Sequence, residues 1–145
     1  MIPLVSATAE GGEEGKQTMI HLRIYGQTPS KKSSQQIIKV KGSTRLIPNK
    51  KYVEWVTRAI KQLKDQMIEQ DLSTITELVW VKTLVYRNTK RKIDKGNLEQ
   101  SLHDALQAAE VIKDDFQIES TDGSRRILGV PAGEERAEIF ISSFY

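Results

Sequence analysis

The chain has 145 residues, 28% of them charged and 38% hydrophobic, with a formal net charge of +3 and no cysteine. That length predicts one domain able to bury a core without staples. The missing cysteine excludes disulfides, thiol nucleophiles, iron–sulfur clusters and zinc sites built on Cys. Two distant histidines, His21 and His103, are a poor basis for a His-rich metal site or a Ser-His-Asp triad. No apolar run approaches the roughly 18 residues of a membrane span, and the start lacks the basic region of a secretory signal. The expectation is a cytoplasmic protein with no membrane partner.

Residues 1–16 are rich in Gly, Glu and small side chains, and predict a flexible tail ahead of a single domain at 17–145. Residues 17–25 alternate, with Ile20, Leu22 and Ile24 opposite His21, Arg23 and Tyr25, which predicts a half-buried strand. Gly26 and Pro29 end it, and 28–34 is a polar, basic loop. A short strand at 36–40 closes on the turn Lys41-Gly42-Ser43. Asn49 then reads as an N-cap, and Val56, Ala59, Ile60, Leu63 and Met67 recur at helical spacing, giving a helix at about 50–70.

Residues 75–86 are β-branched and aromatic on both faces, which predicts a central strand. A basic turn follows at 87–95. Leu98, Leu102, Ala105, Leu106 and Ala109 form the core stripe of a second helix at 97–109, while Asn97, Gln100 and Asp104 run along another stripe. Short strands at 116–119 and 125–130 flank the turn Thr121-Asp122-Gly123-Ser124, and 137–141 is a last strand. Helices and strands alternate only in part, so the fold class is α+β, a mixed sheet with two main helices packed on it. Tyr52, Trp55 and Trp80 are expected in the core, and His103 on the exposed side of its helix.

The charge is unevenly placed. Residues 17–62 hold ten Lys or Arg and one acid, whereas 96–145 hold four bases and ten acids. A basic half points to a polyanion. The acids near it, Asp94, Asp104, Asp114 and Asp115, suggest oxygen ligands for Mg2+ or Mn2+. If the strand at 116–119 pairs near the end of the central strand, the Asp pair returns beside Asp94. Carboxylates around a hard cation, with bases to hold phosphates, are what metal-assisted phosphodiester hydrolysis needs. Singly, each feature also reads as structural: Asp pairs cap turns, and basic runs form solvated faces. The phosphate-binding candidates are Lys31, Lys32, Lys50, Lys51, Arg87, Lys90, Arg91 and Lys92.

The segment from Arg87 to Ile118 resembles the RusA family of Holliday junction resolvases. It carries Lys90, Arg91, Lys92, Asp94, Asn97, Leu98, Asp104, Ala105, Leu106, Val111, Ile112, Asp114, Asp115, Gln117 and Ile118 in the family's order. Upstream, Gly26-Gln-Thr-Pro-Ser-Lys-Lys-Ser, Arg45, Ile47-Pro-Asn-Lys-Lys-Tyr and Trp55 are similar too. The resemblance implies an endodeoxyribonuclease that resolves four-way junctions in DNA recombination and repair, a homodimer acting on branched DNA with Mg2+ or Mn2+. It puts Asp94, Asp104 and Asp115 in catalysis and metal binding, with Asp114 supporting. Three positions depart from the pattern: Gly96 stands for the family's second acid, Gln100 for its helix lysine, and Glu110 for the glycine that ends the helix, the first two falling in the active centre. The alternative is therefore a junction-binding protein with weakened cleavage. A third reading, a structural protein assembled through its charge split, predicts no preference for branched over linear DNA.

Overall fold

The computed structural model describes residues 19–144, so the expected tail at 1–16 lies outside the described residues. Strand β1 (Met19–Tyr25) leads through a 3-10 turn (Lys31–Ser34) to β2 (Gln35–Val40) and β3 (Ser43–Pro48). Helix α1 (Lys50–Glu69), strand β4 (Val79–Arg87) and helix α2 (Lys95–Ala108) follow. A second 3-10 turn (Asp115–Gln117), β5 (Ile118–Ser120), β6 (Arg125–Leu128) and β7 (Arg136–Ser143) complete the chain. The α+β class, the mixed sheet and the two helices are as expected.

The main sheet runs β1–β7–β4, with both neighbouring pairs antiparallel. On its far side β4 takes two short parallel partners in succession, β5 beside its start and β6 beside its end. The strands around Thr121–Ser124 are therefore not a hairpin. The pairing also decides where the Asp pair lies: Val79 is opposite Ile118 at the beginning of β4, whereas Leu128 is opposite Arg87 at its end.

Along β4, Val79, Val81, Thr83 and Val85 are buried under the helices, while Trp80, Lys82, Leu84 and Tyr86 alternate onto the other face. Alternation of period two puts successive residues on opposite faces. β4 is the central strand expected, paired on both edges, but only one of its faces is buried, and the placing of Trp80 in the core is corrected. Its indole N–H donates to the Asp122 carbonyl at 3.0 Å, on the uncovered side. Tyr52 and Trp55 are buried as expected.

Helix α1 buries Tyr52, Trp55, Ala59, Leu63 and Met67, an i, i+3, i+4 stripe, against Leu22, Ile24 and the inner residues of β4 and β7. Asn49 caps it, with Oδ1 accepting from the amides of Lys51 (3.0 Å) and Tyr52 (3.2 Å). Helix α2 buries Leu98, Ser101, Leu102, Ala105 and Leu106. It stops where Glu110 takes φ +61°, the left-handed position that glycine fills at least cost. Ser43, expected in the turn, and residues 44–48, given no element by the sequence, form β3 and close a hairpin with β2 that stands apart from the main sheet.

Candidate nucleic-acid interface

A cleft of about 930 Å³ opens between the loop after β1, the first turns of α1 and the basic turn after β4. Three elements meet there because of one buried hydrogen-bond chain. The Tyr52 hydroxyl donates to Ser101 Oγ (3.0 Å), and Ser101 donates to the Pro29 carbonyl (2.8 Å). That chain ties α1, α2 and the loop together.

The cleft is lined by Lys32, Lys51, Arg58, Arg87, Arg91 and Lys92, and by two acids, Asp94 before α2 and Glu54 on α1. Among the described residues, none of these six cations is paired with an acid. Arg87 is the most enclosed. Its Nε donates to the Thr28 carbonyl at 3.2 Å. Burial, with Arg91 beside it, lowers its affinity for its proton. A half-buried guanidinium without a counter-charge is costly until an anion supplies one.

Five of the eight predicted phosphate ligands line the cleft: Lys32, Lys51, Arg87, Arg91 and Lys92. The other three do not. Lys31 is turned to Asp104, Nζ to Oδ2 2.7 Å, and this hydrogen bond raises its pKa. Lys50 is exposed at the start of α1, and the Lys90 stem lies against Gly129. Sequence reasoning missed Arg58. Its signal was present as spacing, since Lys51, Glu54, Trp55 and Arg58 recur at i, i+3, i+4 and i+7 on one face of α1.

The four aspartates do not form one cluster. Asp94 is the N-cap of α2, with Oδ1 accepting from the Asn97 amide at 3.2 Å. Asp104 accepts from Lys31 and from Gln100 Nε2 (2.9 Å). Asp114 caps the second 3-10 turn, accepting from the Phe116 amide at 2.9 Å, and the Asp115 amide is bound by Gln107. The 14 residues of α2 span about 21 Å, so Asp94 and the Asp pair sit at its opposite ends.

Among the described residues no three His, Asp or Glu side chains gather to hold a metal within one chain. The expected convergence of Asp94, Asp104, Asp114 and Asp115 is corrected on this point. It depended on the strand at 116–119 pairing near Tyr86, and β5 pairs at the other end of β4. The second hollow beside Asp94 is lined by Lys92, Lys95 and Arg126, which are cations and not further acids.

His103 is also corrected. It is half-buried, its Nε2 is enclosed without a hydrogen-bond partner, and burial holds its imidazole below the usual range against Glu99, Asp115 and Asp104.

A family model described as Endodeoxyribonuclease RusA matches residues 26–142, a span that includes the cleft and both helices. The chain belongs to the RusA endodeoxyribonuclease family. Membership implies Holliday junction resolvase nuclease activity and branched DNA as substrate. No curated protein matches the chain. Among the described residues no helix is long and apolar enough to cross a membrane. Within the RusA match, Gly96 sits next to Asp94, the N-cap of α2, and Gln100 next to Asp104. A Cβ added at Gly96 would meet Asp94 Oδ1 at 3.1 Å, so the position faces that carboxylate directly.

Proposed function

We propose that residues 17–145 form a structure-selective nuclease domain that hydrolyses phosphodiester bonds at four-way DNA junctions in recombination and repair. Its cofactor is Mg2+ or Mn2+, and its working unit is a homodimer. The observation that carries this reading is the cleft lined by six unpaired cations and by the carboxylates of Glu54 and Asp94. Such a surface binds phosphates and recognises shape, not base sequence. Arg87 and Arg91 hold the backbone at the floor, and Lys32, Lys51, Arg58 and Lys92 hold it along the walls.

A single chain does not fit a divalent ion, because Asp94 is surrounded by cations and the Asp pair is a helix-length away. Two copies related by C2 symmetry remove the obstacle if their α2 helices lie antiparallel. Asp94 of each copy then meets Asp114 and Asp115 of the other, and two sites arise for two symmetric cuts. Phe116, adjacent to Asp115 and 82% exposed, offers apolar surface for that contact. Asp104 acts by positioning Lys31 at the loop and not as a ligand.

The test is a four-way junction incubated with Mg2+ or Mn2+. Wild type should bind and nick it, and Asp94→Asn should bind without nicking. The second reading, a junction-binding protein that cuts weakly, is favoured by Gly96 and Gln100. Where a second carboxylate would stand beside Asp94 there is only a hydrogen, and Gln100 spends its amide on Asp104. Binding without nicking by wild type, with nicking gained in Gly96→Asp, would establish it.

A further inference from the structure

The hairpin of β2 and β3 contains no buried residue, and its strands hydrogen-bond to each other and to no other strand. A two-stranded ribbon alone in water is at best marginally stable. This one is rooted at the cleft. The Asn49 amide donates to the Ser34 carbonyl at 2.9 Å, and Asn49 Nδ2 donates to Gln36 Oε1 at 3.3 Å. Asn49 also lines the cleft, so the ribbon extends the cleft wall.

Its register places Ile37 opposite Leu46 and Lys39 opposite Thr44 on one face, and Ile38 opposite Arg45 on the other. Ile37 is 66% exposed and Leu46 62%, a cross-strand apolar pair more exposed than Val40 (38%) on the opposite face. Lys39, Lys41 and Arg45 have no acid partner among the described residues, and the sequence holds no Asp or Glu from 17 to 53.

We propose that this ribbon is a second DNA-binding element that engages the branch point of the junction. Lys39, Lys41 and Arg45 hold the phosphates of an arm leaving the cleft, and the Ile37–Leu46 pair abuts bases left unstacked at the crossover. The inference rests on the junction-DNA reading of the cleft.

The dimensions suit it. Strands of six residues reach about 20 Å, and a two-stranded ribbon fits a major groove about 12 Å wide. Apolar side chains set between bases are a known means of opening a step, and a crossover offers such steps already loosened. A second copy of the chain is a poorer occupant, because two ribbons meeting would oppose three cations to three.

The experiment uses the full chain, a four-way junction carrying 2-aminopurine at the crossover, and a linear duplex of equal length. Lys39→Ala/Lys41→Ala/Arg45→Ala should weaken junction binding and flatten its log–log salt dependence by about 2.7, at roughly 0.9 per lost contact. Ile37→Ser/Leu46→Ser should keep the salt slope, lose the rise in 2-aminopurine fluorescence, and bind junction little better than duplex. An unchanged slope in the triple variant, with Arg91→Ala still flattening it, would overturn the ribbon's role and leave the cleft intact. A shift of the double variant from dimer to monomer on sedimentation, with fluorescence unchanged, would also overturn it by making the ribbon a subunit contact. If wild type does not prefer the junction and Arg91→Ala changes nothing, the cleft reading itself has failed.

Discussion

The outer face of the sheet and the cleft are both rich in cations, but they treat them in opposite ways. On the sheet, His21, Arg23 and Arg136 converge on one carboxylate, Glu138, at 2.6, 2.9 and 2.7 Å. Arg136 lies over the Tyr86 ring at 3.9 Å, and Lys82 over Phe140 at 4.9 Å. In the cleft, six cations surround open space. Charge count does not separate the two regions. Satisfaction does: a cation already matched by the fold stabilises the fold, and one left unmatched in a concave wall awaits a ligand.

The largest effect that sharpens this contrast is expected from Arg87→Ala/Arg91→Ala. Junction affinity should fall about 100-fold, and the salt slope should flatten by about 2, with thermal stability little changed. A competition gel at several salt concentrations reads both. An equal loss from Arg23→Ala/Arg136→Ala would erase the distinction between the two regions.

Glu138→Ala should do the converse, costing about 2 kcal/mol of stability by leaving three donors unmatched while DNA binding persists. Burial raises the Glu138 pKa, but hydrogen bonds from Arg136, Arg23 and His21 outweigh it, and the net shift is below the usual 4.5. A depressed carboxylate stabilises the fold above its unfolded pKa. That contribution should therefore vanish as pH falls below about 4.5 through the folded value. Urea titrations of wild type and variant should differ most at pH 7 and less as the pH is lowered toward and through the folded pKa of Glu138.

Tyr52→Phe removes the link between α1 and Ser101 and should cost about 1 kcal/mol, with a few-fold loss of junction affinity as the loop carrying Pro29 loosens. The smallest effect concerns His103. Its imidazole is held below 6.5 by burial, so as pH falls through about 6.5 the unfolded chain takes a proton that the folded chain does not. Stability should decline over that window, and His103→Leu should reduce the decline by under about 1 kcal/mol in melts at pH 7.5 and 5.5.

What the sequence disclosed follows from the range of the interactions involved. The α1 cap at Asn49, the α2 stripe and the strand alternation are local, and they were legible. So was the basic character of the cleft, because Lys32 and Lys51 lie in the acid-poor stretch 17–62 and Arg87, Arg91 and Lys92 in the basic turn at 87–95. The hairpin partner β3 was missed because Ser43–Pro48 has no buried face to impose a period. Trp80 was misplaced because nothing local tells which face of a central strand the helices cover. The aspartates were misjudged for a topological reason. Their proximity depended on which end of β4 receives β5, a long-range pairing that spacing does not encode.

The central claim is that the acids act between copies. Mixing Asp94→Asn with Asp115→Asn and allowing subunits to exchange tests it most directly. Each variant alone should be unable to nick a junction. In a mixed dimer one site carries both substitutions and the other carries neither, so the mixture should recover about one quarter of wild-type nicking. A mixture as inactive as either variant alone, with mixed dimers confirmed by mass, would contradict the account.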